Sequence, residues 1–115
     1  MLFRSITGGG IAANIARVLP THLAADIERN TWRIHPVFSV IADLGNVTQS
    51  DMEKTFNMGL GMVAIVAPSH AAAAIALLQA RGIECAQIGV VRTRADGEVG
   101  DAVAKGGKGG AVSLR

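Results

Sequence analysis

The chain has 115 residues, half of them hydrophobic and 17% charged, with a formal net charge of +2. That length holds one domain, which can bury roughly two thirds of its unfolded surface and so build a core without staples. A small, scattered basic excess and few aromatic side chains (Phe3, Trp32, Phe38, Phe56) exclude a nucleic-acid footprint and a base-stacking platform.

The first pattern opens on Gly8-Gly9-Gly10, with no element legible ahead of it. Ile11, Ile15 and Val18 then recur at helical spacing, Arg17 points away from that stripe, Asn14 lies on its border, and Pro20 ends the helix. Leu23 to Ile27 reads as a strand and Asn30 to Arg33 as a connection. His35-Pro36 starts a second helix with Val37, Phe38, Ile41 and Leu44 on one side, and Gly45-Asn46 ends it. Thr48 and Asp51 form a capping pair for a short helix to about Phe56. Asn57 to Gly61 breaks that helix, and Met62 to Ala67 reads as a buried strand.

Pro68 and Ser69 end that strand and cap a helix over Ala71 to Arg81, with a stripe at Ala71, Ala74, Ile75 and Leu78 and a stop at Gly82. A strand over about Cys85 to Val91 follows, and strand, helix and strand together predict a βαβ unit with two parallel strands. Ala95 to Glu98 reads as a turn, Lys105 to Gly110 as a flexible low-complexity stretch, and Ala111 to Leu114 as an edge strand. The expected fold is α+β, a mixed sheet with helices packed on one face. Residues 1–93 are read as the domain and 94–115 as a Gly-rich tail.

No apolar run approaches the ~18 residues that span a bilayer, and Met1 to Arg4 lacks the apolar core of a signal peptide. The expectation is a soluble cytoplasmic protein without a membrane or nucleic-acid partner. Cys85, the single cysteine, reads as a small buried hydrophobe. His22, His35 and His70 lack metal spacing and read as surface or capping residues. Asp96, Glu98 and Asp101 read as a solvated turn rather than a metal loop, so no metal ligand is assigned. No catalytic residue is assigned either.

Two segments can carry chemistry. Thr7-Gly8-Gly9-Gly10 before a helix offers free N–H groups to an anion, with Arg17 as a further phosphate contact; the other reading is a plain flexible turn. In Thr55 to Met62, the Asn57 amide is either a ligand contact or a left-handed turn residue.

Four blocks carry a resemblance. They are Ile6-Thr7-Gly8-Gly9-Gly10-Ile11 with Asn14-Ile15, Arg17-Val18-Leu19-Pro20; Trp32 with Pro36-Val37-Phe38; Gly45-Asn46-Val47; and Met52 with Thr55-Phe56-Asn57-Met58-Gly59-Leu60-Gly61-Met62. In this order they resemble the C-terminal domain of phosphoribosylformylglycinamidine cyclo-ligase, or aminoimidazole ribonucleotide synthetase, from about Ile6 to Val91. The resemblance implies ATP- and Mg²⁺-dependent closure of formylglycinamidine ribonucleotide to aminoimidazole ribonucleotide in purine biosynthesis. It implies that most ATP and metal ligands lie on an N-terminal domain absent from this chain, and that the full enzyme is a homodimer. Thr7, Gly8, Gly9, Gly10, Asn14, Arg17 and Asn57 are then the substrate- or phosphate-binding candidates. The family carries His before Ile-Thr-Gly-Gly-Gly, facing the active site; this chain carries Ser5. Lys54 stands where Arg is usual. The chain alone is expected to be inactive, about one third of an enzyme. The same superfamily resemblance leaves open a C-terminal domain of thiamine-monophosphate kinase or selenophosphate synthetase type, or a non-catalytic interaction module.

Overall fold

The computed structural model describes residues 1–104 and 106–115; Lys105, the start of the expected flexible stretch, lies outside the described residues. The chain forms a slab of 42 × 40 × 21 Å. Its elements in order are β1 (Leu2–Ser5), α1 (Gly10–Val18), β2 (Leu23–Ile27), a 3-10 turn (Arg29–Thr31), α2 (Pro36–Gly45), α3 (Gln49–Thr55), β3 (Met62–Ile65), α4 (Pro68–Ala80), β4 (Gly89–Thr93) and β5 (Ala111–Leu114). The fold is α+β, and its three-stranded sheet is mixed, as the sequence implies.

The helices start and stop for local reasons. The Thr48 hydroxyl caps α3 by accepting from the Asp51 amide at 3.2 Å, while donating to the Asp51 carboxylate at 2.9 Å. Pro36 and Pro68 sit at the first turns of α2 and α4, where the missing N–H has no partner to lose. Asn46 (φ 51) and Gly82 (φ 77) take the left-handed conformation that ends each helix.

The core lies where α1 crosses the three-stranded sheet and α3. Ile11, Ile15, Ala16, Leu19, Ala25, Met52 and Val112 are all nearly inaccessible there. The apolar stripe of α1 supplies Ile11 and Ile15 to it, with Val18 half-buried and Arg17 exposed.

Several expectations are corrected. An element does precede the glycine run: β1 pairs antiparallel with β3, in register Leu2↔Ile65 to Ser5↔Met62. Four residues of mixed polarity give too short an alternation to be read in isolation. The βαβ unit does not form. β3 belongs to the two-stranded β1–β3 ribbon, whereas β4 pairs antiparallel with β2 in a sheet of order β4-β2-β5. β4 starts at Gly89, not near Cys85, because Gly89 is where the chain meets Ile27; a Cβ there would strike the Asp26 carbonyl. β3 is not buried throughout: Val63 is buried and Met62 is 65% exposed. Cys85 is only half-buried.

The C-terminal segment is built into the sheet. β5 runs parallel to β2 (Ala24↔Ala111 to Ile27↔Leu114) as an edge strand. Val112 is fully buried, and the Gly110 amide donates to the Leu19 and Ala16 carbonyls at 2.8 and 3.1 Å. A boundary at residue 93 therefore falls between two strands of one sheet.

The outer layers are thinly covered. Among the described residues, α2 has no buried side chain; Val37, Val40 and Leu44 are more than half exposed. In α4 the stripe Ala71, Ala74, Ile75 and Leu78 is half-buried while Leu77 faces out. One face of the β1–β3 ribbon, carrying Phe3, Ser5, Met62 and Ala64, is exposed. Among the described residues no helix is long and apolar enough to cross a membrane.

Candidate functional site

The glycine loop leaves β1 at Ile6 and enters α1 at Gly10. Gly9 and Gly10 hold φ values of 100° and 82°, a conformation costly for side-chain-bearing residues. Gly10 also abuts α3, since a Cβ there would enter the Glu53 carbonyl. Gly8 and Gly9 face open space, with nothing within 4 Å of where a Cβ would stand.

Beneath the loop lies Asn14, 2% exposed. Its amide nitrogen donates to the carbonyls of Gly10 (2.7 Å), Thr7 (3.1 Å) and Gly8 (3.4 Å). Its carbonyl oxygen accepts from the Thr7 hydroxyl (3.3 Å) and from Arg4 Nη2 and Nε (3.0 and 3.3 Å). Asn14 is thus occupied in holding the loop.

A second turn faces this loop. Asn57 Oδ1 accepts from the Gly59 amide at 2.9 Å, an Asx turn. The left-handed residues are Met58 (φ 51) and Gly59 (φ 95), not Asn57. Trp32 Nε1 donates to the Met58 carbonyl at 3.0 Å, and Phe38 packs edge-on against Phe56 with centroids 6.0 Å apart. Motifs separate in sequence thereby meet in one supporting cluster.

Two clefts flank the loop. One, of about 380 Å³, is lined by Ile6, Thr7, Gly8, Thr55, Phe56 and Asn57. It gathers three of the sequence candidates, Thr7, Gly8 and Asn57. The other, of about 510 Å³, takes Gly9 on its rim, with Arg29, Glu53, Lys54 and Asp101 in its wall. Arg17 joins neither cleft; it sits in the last turn of α1, about 10 Å along the axis from Gly10.

The sequence gives no sign of the ion pairs. Arg29 forks onto Glu53 at 2.7 and 2.9 Å and donates to the Leu114 carbonyl at 3.0 Å, tying α3 to β5. The Arg29 guanidinium holds the Glu53 carboxyl below its ordinary range against the opposing effect of burial. Across the sheet, Arg92 bridges Asp26 (2.7 Å) and Glu98 (2.6 Å), and Arg115 adds to Asp26 (2.9 Å). The Ala95–Glu98 turn forms as expected, with Ala95, Asp96 and Gly97 exposed, but the Glu98 side chain that closes it is pinned by Arg92. Asp101 is likewise engaged, accepting from the Leu114 amide at 2.5 Å.

These pairs set an acid limit. The Arg92 side chain, with help from the Ala95 amide, lowers the Glu98 carboxyl from 4.5 to about 2. Arg92, then Arg115, lowers Asp26. A carboxyl whose folded pKa lies below its unfolded one adds stability above the unfolded value and loses it as pH falls through the folded one. The urea midpoint should hold steady near neutrality and fall progressively between pH 4.5 and about 2. Arg92→Gln should lower the neutral-pH midpoint and flatten that slope; an unchanged slope would contradict the assignment.

A mixed sheet layered with helices, opened by a glycine loop between two clefts, defines an α+β cleft domain. The family described as AIR synthase related protein, C-terminal domain, matches residues 2–102. The chain belongs to this family. It is 47% identical over 103 residues to a Streptomyces fradiae protein provisionally named phosphoribosylformylglycinamidine cyclo-ligase, covering 89% of this chain and 57% of that protein. Phosphoribosylformylglycinamidine cyclo-ligases of Methylobacillus flagellatus and Anaeromyxobacter dehalogenans are 47% and 44% identical over 93 and 96 residues. Those matches cover 81% and 84% of this chain but 27% and 28% of the relatives. The chain thus spans between about a quarter and three fifths of the relatives it matches.

Proposed function

We propose that this chain serves as the C-terminal domain of a phosphoribosylformylglycinamidine cyclo-ligase. The observation that carries this reading is identity of 44–47% across more than four fifths of the chain to proteins bearing that name. In such an enzyme, bound ATP supplies the phosphoryl group that makes the substrate's amide oxygen a leaving group. An amidine nitrogen of formylglycinamidine ribonucleotide then attacks the activated carbon, and inorganic phosphate departs as the imidazole ring of aminoimidazole ribonucleotide closes.

The donor chemistry of the glycine loop fits the phosphate part of this task. The Gly8 and Gly9 amides find no protein acceptor among the described residues and sit at the start of α1. Such N–H groups accept phosphate oxygens. Thr7 and Asn57 line the facing cleft and would hold the substrate beside them. The metal does not fit here: among the described residues no group of three or more His, Cys, Asp or Glu could hold one. We therefore assign Mg²⁺ and most of the ATP contacts to a separate N-terminal domain. Phe3, Met62, Val37 and Leu44 on the thinly covered layers are the apolar surface such a domain would cover. For the whole protein, the resemblance further implies a homodimer in the cytoplasm.

Reconstitution tests this reading. The chain mixed with the ATP-binding N-terminal part of a cyclo-ligase should turn over formylglycinamidine ribonucleotide where neither part alone does.

A further inference from the structure

We infer that Arg4 is a positioning residue of the glycine loop, acting through Asn14 to aim the Gly8 and Gly9 amides outward. The inference rests on the reading of this loop as a phosphate cradle and goes beyond it by naming what sets the cradle's geometry.

The argument starts from the alternation of β1. Phe3 and Ser5 occupy the exposed face of the ribbon, so Arg4 falls on the packed face, where it is half-buried. From there its guanidinium reaches over α1 and places both Nε and Nη2 on Asn14 Oδ1. A side-chain amide can lie either way round, its oxygen and nitrogen exchanging places. Two guanidinium donors on one side fix the oxygen toward Arg4, and the Thr7 hydroxyl reinforces that choice. The nitrogen must then face the loop, where it draws in the Thr7 and Gly8 carbonyls.

The consequence for the loop follows from the planar trans peptide. There the C=O of one residue and the N–H of the next point in opposite directions, and this chain has no cis bonds among its described residues. Holding the Thr7 carbonyl inward turns the Gly8 N–H outward; holding the Gly8 carbonyl inward turns the Gly9 N–H outward. Both glycines are exposed. The Asn14 amide nitrogen also donates to the Gly10 carbonyl at 2.7 Å, but α1 has no side-chain cap and Gly9 has a wide conformational range, so the orientation of the Thr7 and Gly8 carbonyls rests on the Asn14 network. Arg4 contributes the charged donor of the network, and a hydrogen bond from an ionised group is roughly twice as strong as a neutral one.

The test uses the whole chain and two nuclear magnetic resonance measurements. Residual dipolar couplings report the Gly8 and Gly9 N–H directions without any anion, and titration with inorganic phosphate reports binding at the same amides. Arg4→Met should reorient or average both N–H vectors while the thermal midpoint stays near wild type. It should also weaken phosphate binding about tenfold, the scale of one hydrogen bond lost. Arg4→Lys should show the same loss, because a single ammonium cannot fork onto Oδ1. Asn14→Asp, which keeps the acceptor for Arg4 but removes the donor to the loop, should match Arg4→Met in the Gly8 and Gly9 couplings, at a lower thermal midpoint because its carboxylate faces the loop carbonyls. Unchanged couplings in Arg4→Met and Asn14→Asp would overturn the positioning role whether or not phosphate binds. Wild-type affinity in Arg4→Lys would overturn it too, in favour of plain charge attraction. A wild-type chain with the expected N–H directions but no response to phosphate would support the positioning role and overturn the phosphate reading.

Discussion

Replacing Gly10 by alanine is expected to destabilise the protein by about 2–5 kcal/mol, summing a left-handed side-chain residue and overpacking. The cause is local and double. Gly10 stands at φ 82, and its missing Cβ leaves room for the Glu53 carbonyl at the contact of α1 with α3. Relieving the clash would push the first turn of α1 away from α3 and shift the loop that α1 anchors. For a domain of this size the thermal midpoint should fall by about 10 °C or more. Gly8→Ala is the matched control. Its Cβ would meet open space, and its φ lies outside the left-handed region, so stability should change by less than about 0.5 kcal/mol. A wild-type midpoint in Gly10→Ala would contradict the packing described for this loop.

Removing residues 94–115 is expected to abolish cooperative folding. That segment supplies β5, whose Val112 is fully buried against the core, and full burial of one such side chain is worth about 1.5–3 kcal/mol. Its loss would also strip one edge of β2 of its ladder, expose Ala25 and Ile15, and leave Arg29 without the Leu114 carbonyl. Arg115 and Glu98 would leave the ion-pair network as well, so Asp26 would keep Arg92 alone. Against a total stability of about 5–15 kcal/mol, these losses together are decisive. A sharp denaturation transition in chain 1–93 would show that the C-terminal strand is dispensable.

The helices were largely legible and the strand partners were not. A helix carries its own signals: Pro36 and Pro68 at the starts, Thr48 as a cap, Asn46 and Gly82 at the ends. Each of these acts where the sequence places it, except that Pro68 lies within the first turn of α4 rather than ahead of it, the helix starting at Pro68 and not at Ala71. A strand's partner is chosen by the rest of the chain. Met62 to Ile65 has an apolar composition that suits burial on both faces, yet among the described residues it pairs with the four-residue β1 alone and leaves Met62 exposed. Cys85 to Val91 reads as the second strand of a crossover, but the strand starts at Gly89, lies antiparallel to β2 and stands outside the β3 ribbon.

The candidate loop was legible for a different reason. Glycines at the head of a helix point to close backbone approach, and the Thr55–Gly61 block reads as a second turn. That Thr7, Gly8 and Asn57 share a cleft is added by the fold. Long-range polar partners left no mark on the sequence. Arg4 and Asn14 are ten residues apart and Arg29 and Glu53 twenty-four. No spacing rule joins them; only the strand alternation and the crossing of α1 over α3 do. Asn14 shows the same limit from the other side. Its motif position suggested a ligand contact, whereas its buried amide spends its hydrogen bonds on the loop itself.

The measurement that bears most directly on the proposed function is the rate of ATP-dependent conversion of formylglycinamidine ribonucleotide to aminoimidazole ribonucleotide. It should be made on this chain alone, on the N-terminal part of a cyclo-ligase alone, and on the two mixed in equal amounts. The proposal predicts no turnover above blank for either part and clear turnover for the mixture, reduced when the chain carries Arg4→Met. Turnover by this chain alone, or none from a mixture shown to form a stable complex, would contradict it.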